Sequence, residues 1–473
     1  MQFNSIVFII FAALFFSLWV VFRRRNNVRW VYLVTASFVF YGWWDWRFLF
    51  LIMASGLIDF FAGLGMERFP RHRKLMLVLS IVGNVGSLAI FKYLDFGINN
   101  VNWILQSLGI ETHVPAANLI LPIGISFYTF QSMSYTIDIY RGQLHPTRNI
   151  FHFFAYLSLF PQLVAGPIVR ARDLLPQLRS VKPLSEQQRW DGLKLVVFGF
   201  FKKVVVADTL AIAVNTAFGA NTPTNSCSYW WTIMIMFAFQ IYCDFSGYSD
   251  IARGLGKWMG YEFPVNFNNP YIASSFREFW QRWHISLSTW FRDYVYIPLG
   301  GSRRGKAHGY MAMWFTMLLS GLWHGAAWHF IVWAAMHALY LSVERLTNWP
   351  KRLATLPAGR HFATLAVFLL TVLAWVFFRA GTFSQATAVF RIMLNPAIMN
   401  YAVADKLVDN NAINVLLIMM GSQLFFHFGW DRSQWATSTS RVSAALESVF
   451  VAFLILTCVF MHAPSNTFIY FQF

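Results

Sequence analysis

Charge is scarce in this chain. Asp, Glu, Lys and Arg make up 12% of its 473 residues, against 57% hydrophobic and 19% aromatic; a soluble globular protein carries about a quarter charged residues. That shortage leaves no room for several soluble domains. Cysteine is nearly absent: Cys227, Cys243 and Cys458 form no CxxC pair, so neither a disulfide framework nor a zinc site is implied. There is no P-loop, no GxSxG elbow and no HExxH. Internal repeats and low-complexity linkers are missing as well, which argues against a transporter built from inverted repeats.

What is present is a succession of apolar runs, at 5–22, 30–46, 48–66, 75–91, 119–137, 195–218, 229–242, 362–378, 412–428 and 449–461. A membrane helix needs about 20 mostly apolar residues. The expected fold is therefore an all-α polytopic membrane protein with roughly ten or more spans, in a single integral membrane domain over 1–473. The first run has no basic segment before it and Arg23–Arg25 directly after it, a stop-transfer pattern rather than a cleaved signal. The net charge of +17 lies mostly in short connections, where excess Lys and Arg marks the cytoplasmic side and meets anionic lipid. Nucleic acid is not an expected partner. The clusters at 23–29 and 68–74 enclose one hairpin and are expected on the cytoplasmic face, with 99–113 outside.

Two segments break this pattern. The apolar stretch 151–169 contains Pro161 and the Gly166-Pro167 pair, so it is expected to enter the bilayer and return, protected by protein or water. The stretch 311–343 has no Asp, Glu, Lys or Arg, and as one helix would reach roughly 50 Å across a core of about 30 Å. It is expected to break or tilt near His324, where Gly321 and Gly325 would leave room beside the imidazole. An ionisable residue at such depth is a functional hypothesis by default. His329 and His337 do not share a helical ridge with His324, and are read as structural; a metal site is not expected.

Upstream, 276–296 reads as one amphipathic helix. Phe276, Phe279, Trp280, Trp283, Leu287, Trp290, Phe291 and Tyr294 fall within an arc of roughly 120°, with Arg277, Glu278, Gln281, Arg282, Arg292 and Asp293 elsewhere. It is too charged to face lipid as a span, and belongs to the interface or to a polar funnel. His284 stands at the flank of the aromatic stripe. Asp244 and Asp250, in "YCDFSGYSDIARGLG", read either as helix-capping residues or as a polar rim.

Five stretches now resemble the membrane-bound O-acyltransferase (MBOAT) family, and most closely its bacterial branch that O-acetylates exopolysaccharides: "LPIGISFYTFQSMSYTIDIYRG" (121–142), "LFPQLVAGPIVR" (159–170), "DFSGYSDIARGLG" (244–256), "NFNNPYIASSFREFWQRWHISLSTWFRDYVYIPLGG" (266–301) and "LSGLWHGAAWHFIVW" (319–333). The motif core runs from about 119 to 379. The resemblance implies helices around a central funnel, with the family's hallmark histidine at His324 and its second histidine at His284. Asp244, Asp250, Asn266, Arg282 and Trp323 are expected to position substrate or line the funnel. It further implies a multi-pass protein of the bacterial inner membrane, with no bound cofactor and acetyl-CoA as acyl donor. Expected partners are an extracytoplasmic SGNH-type acetyltransferase, polysaccharide synthesis and export proteins, and membrane lipids. A transporter or channel for an acyl donor or proton, and a structural subunit of a secretion complex, are the alternatives.

Overall fold

The computed structural model describes residues 1–220, 222–427, 441–464, 466, 468 and 469, and every regular element among them is helical. Among the described residues the apolar runs lie mostly on helices, although 119–124 precede the helix that starts at Ile125 and Phe428 lies outside the described residues. Three helices among the described residues are long and apolar enough to cross a bilayer, Arg47–Arg68, Pro70–Ser107 and Gly359–Arg379, and Ile6–Phe22 is a shorter apolar one. This is an all-α polytopic membrane protein. Its chain divides into two compact units, one formed by 1–193 with 252–264, the other by 194–251 with 265–473.

The first unit contains α1 (Ile6–Phe22), α2 (Asn26–Gly42), α3 (Arg47–Arg68), α4 (Arg73–Leu88), α5 (Leu94–Ser107), α6 (Ile125–Tyr140), α7 (Ile150–Leu157), α8 (Phe160–Leu163) and α9 (Ala171–Leu178). The stretch 151–169 does turn back: α7 ends at Leu157, α8 is a single turn, and α9 returns so that Leu175 O lies 3.0 Å from His152 Nε2. Its irregular backbone is wrapped in protein, with the Phe160 N–H donating to Ser37 Oγ at 3.1 Å. Basic residues gather at one end. Arg29 donates to Leu178 O at 2.8 Å and Trp30 packs on His152 at 4.4 Å. Arg148 pairs with Glu67 at 3.6 Å, and Arg73 donates to Ile139 O at 2.9 Å.

The second unit takes part of α10 (Glu186–Phe200) and of α12 (Cys227–Met259), with α11 (Asp208–Gly219) between them. It continues through α13 (Phe276–Arg282), α14 (Ile285–Phe291), α15 (Lys306–His324), α16 (Trp328–Thr347), α17 (Trp349–Ala354) and α18 (Gly359–Arg379). Its core is aromatic: Trp230, Trp283, Trp333 and Trp375 are all buried, and Trp333 stacks on Trp375 at 5.7 Å. Gly199 and Gly247 allow a close approach. A Cβ on either would come within 2.6–2.7 Å of the other's carbonyl oxygen, as small residues do where membrane helices touch.

The single amphipathic helix expected over 276–296 is two helices and a turn. Ser275 caps α13, accepting from the Glu278 N–H at 3.0 Å, and Glu344 accepts the Phe276 N–H at 2.5 Å. α13 stops at Arg282, His284 takes the left-handed conformation (φ 42°, ψ 53°), and α14 restarts at Ile285. The aromatic face still points inward: Phe276, Phe279, Trp283, Leu287, Trp290 and Phe291 are buried, whereas Arg292 is exposed.

Candidate functional site

A non-glycine residue in the left-handed region costs about 1–3 kcal/mol unless its surroundings hold it there. Asn266 supplies the hold. Its backbone carbonyl accepts the Ile285 N–H at 2.8 Å, and its Oδ1 accepts from the Ser286 N–H at 3.2 Å and the Ser286 hydroxyl at 2.8 Å. His284 Nδ1 lies 3.1 Å from the same Oδ1, and Asn266 Nδ2 donates to Ser249 Oγ at 3.1 Å. Because a backbone N–H can only donate, Oδ1 is fixed as an acceptor. His284 Nδ1 therefore carries the proton in the neutral ring, and Nε2 carries the lone pair. The ring itself is buried edge-on against Phe245, centroids 4.6 Å apart.

His324 is the last residue of α15. The chain leaves the helix at Gly325 in extended conformation and re-enters helix at Trp328. So 311–343 is broken, not tilted as one rod. The imidazole sits in an aromatic box, 5.0 Å from Trp323, 5.0 Å from Trp333 and 5.2 Å from Phe378, all edge-on. The two glycines do not leave open space beside it. A Cβ on Gly325 would lie 2.0 Å from the Phe330 ring, and one on Gly321 would lie 2.6 Å from Phe330 O and 2.7 Å from Ala334. They let α16 close onto α15.

Trp323 joins the two histidines, its ring 6.2 Å from His284 and 5.0 Å from His324. Forty residues of sequence are thereby folded onto one indole. The other expected residues take different places. Asp250 pairs with Lys202. Asp244 is buried and pairs with Lys203 at 2.9 Å. Arg282 pairs with Glu278 at 2.8 Å and donates to Asn268 O at 3.1 Å. Partial burial opposes ionisation of Glu278, but the Ser274 N–H and the Arg282 guanidinium hold its carboxyl below the usual range. His329 Nδ1 lies 2.9 Å from Phe377 O, and His337 is buried among Phe279, Trp280 and Trp333.

Lys203 and Asp208 escape a reading by hydropathy, because they sit inside the apolar run 195–218. They are buried and paired at 2.8 Å. Ionisable residues in so apolar a run were the available clue.

Comparison with known proteins gives the family. Residues 144–384, which hold both histidines, match the membrane-bound O-acyltransferase family. A protein of Pseudomonas putida named probable alginate O-acetylase AlgI is 41% identical over 404 residues, covering 84% of this chain and 80% of that one. The peptidoglycan O-acetyltransferase of Helicobacter pylori is 36% identical over 77% of this chain and 73% of its own. The teichoic acid D-alanyltransferase of Bacillus subtilis is 29% identical over 55% and 68%. The chain belongs to the membrane-bound O-acyltransferase family and is an acyltransferase.

Proposed function

We propose that this acyltransferase takes an acetyl group from a cytoplasmic thioester, acetyl-CoA, and passes it across the bacterial inner membrane toward an exported polysaccharide. The transfer is made directly or through an extracytoplasmic SGNH-type transferase working with the polysaccharide synthesis and export proteins. The observation that carries this reading is the pair of buried histidines on one tryptophan, in a chain whose relatives are named for O-acetylation of alginate and peptidoglycan.

His324 is the general base. It takes the proton of the acceptor hydroxyl as the oxygen attacks the thioester carbonyl carbon. The tetrahedral intermediate then collapses, the C–S bond breaks, and the thiolate leaves with the proton returned by the imidazolium. The carbonyl end of α15, where His324 stands, favours the transient positive charge. Of the two roles open to His284, the proton on Nδ1 supports orienting the acceptor over donating to the oxyanion. Nε2 then accepts from an N–H or O–H of the acceptor other than the reacting hydroxyl, whose one proton goes to His324.

The test is transfer of labelled acetyl from acetyl-CoA by the purified protein. General-base assistance is worth roughly 10²–10⁴ in rate, so His324→Ala falls to near background while inserting normally. His329→Ala, which removes a bond to a backbone carbonyl, loses much less. Retained transfer in a folded His324→Ala protein overturns the mechanism.

A further inference from the structure

Behind His284 lies a buried ionic cluster that the acyl-transfer chemistry does not use. Lys203 stands in the π-helical turn Phe201–Ala207, brought against α12 by the contact of Gly199 with Gly247. Its ammonium donates to Asp208 Oδ1 at 2.8 Å and to the carbonyl of Asn466 at 3.1 Å, and pairs with the Asp244 carboxylate at 2.9 Å. Two carboxylates and one ammonium leave an excess negative charge in a buried place, which is costly without further donors. The C-terminal residues supply one, since the Ile469 N–H donates to Asp244 Oδ2 at 2.8 Å. The same stretch of chain is tied at a second point, where the Ala463 N–H donates to Val204 O at 3.2 Å.

These bonds place Phe468 against the histidine site. Its ring is buried, 5.6 Å from Phe245 and 5.0 Å from Tyr248. Phe245 in turn stands edge-on to His284 at 4.6 Å. We propose that Lys203, Asp208 and Asp244 form a clasp that pins Asn466, Phe468 and Ile469 to α12, so that Phe468 backs Phe245 and Phe245 fixes the His284 ring. All four side chains, Lys203, Asp208, Asp244 and Phe468, are positioning residues, and their effect on turnover rests on the acyl-transfer reading of His284.

The test uses the full-length protein in detergent, with Cys458→Ser; the other two cysteines are buried. In Asn466→Cys, the rate of reaction with a water-soluble maleimide reports release of the clasp. Removing one partner of a buried ion pair strands the others, so Lys203→Met raises that rate about tenfold or more; an unchanged rate overturns the clasp. Phe468→Ala leaves every charge in place. It lowers kcat for labelled-acetyl transfer about tenfold, as a small misplacement of a reacting group does, with KM for acetyl-CoA unchanged. Loss of the buried ring also lowers the thermal midpoint, so transfer is read well below it. Phe468→Leu recovers most of the loss. An unchanged kcat in Phe468→Ala overturns the link to His284. The two readings fail separately, because maleimide reaction needs no catalysis, and loss of the acyl-transfer reading shows as transfer that persists without His324.

Discussion

A neutral imidazole can carry its proton on either ring nitrogen, and at position 284 the neighbouring amide makes the choice. Asn266 Oδ1 faces two Ser286 donors as well as Nδ1. Removing it leaves buried donors without an acceptor, at about 1–3 kcal/mol each. Asn266→Ala is therefore expected to free the tautomer of His284 and to lower acetyl transfer about tenfold to a hundredfold. Nitrogen-15 shifts of the histidine read the tautomer directly. A protonated Nδ1 that persists in Asn266→Ala, with transfer intact, removes Asn266 from the mechanism. At this scale the sequence is partly legible. An imidazole among tryptophans, as at 284 and 324, stands out because burial of such a group needs a reason. Lys203 and Asp208 do not stand out, since averaging over an apolar run hides both members of the pair, and their third member, Asp244, is 41 residues from Lys203 along the chain.

Helix breaks are where the element scale departs from periodicity. The apolar arc of 276–296 is real, and its residues are buried as the spacing predicts, except for the half-buried Trp280. Periodicity cannot see that Asn266, ten residues before the arc begins, holds His284 left-handed and divides the helix. Length alone leaves a break or a tilt near His324, because one helix over 311–343 is too long for the bilayer, and it is the chain's exit from helix at Gly325 that decides for the break. The glycines beside it are read correctly as small and wrongly as empty. Gly321 faces a backbone carbonyl that cannot move aside, whereas Gly325 faces a side-chain ring. Gly321→Ala is thus expected to cost about 1–3 kcal/mol of stability, the usual range for overpacking, and Phe330→Leu does not restore it. Gly325→Ala also destabilises, but Phe330→Leu recovers much of its loss because the obstacle is the ring. Thermal midpoints in detergent of the two single and two double variants check this. Equal rescue of both glycine variants refutes the assignment of the Gly321 contact to backbone.

Topology belongs to the whole molecule, and within the first unit it follows from both charge and contacts. The excess of Lys and Arg in short connections predicts 23–29 and 68–74 on the cytoplasmic face. Arg29, Trp30, Arg73 and Arg148 make the bonds and contacts that gather these clusters with the ends of α6 and α9, at Ile139 and Leu178. Basic groups held together in this way cannot be divided between two faces of a bilayer, so the charge rule must apply to all of them or to none. The far end is built differently: Asn102 accepts the Val114 N–H at 2.9 Å and Asp95 accepts the Ala117 N–H at 2.7 Å, and the sequence from 93 to 118 contains no Lys or Arg. Single cysteines at Arg71 and at Glu111 distinguish the faces in intact spheroplasts. An impermeant maleimide should label Glu111→Cys at once and Arg71→Cys only after the membrane is opened. Arg71 lies on the exposed turn Pro70–His72, so failure to label it from outside cannot be ascribed to burial in the protein. Labelling of Arg71→Cys in sealed cells would invert the unit, place the basic end on the outer face, and contradict entry of the acyl donor from the side that the charge pattern assigns.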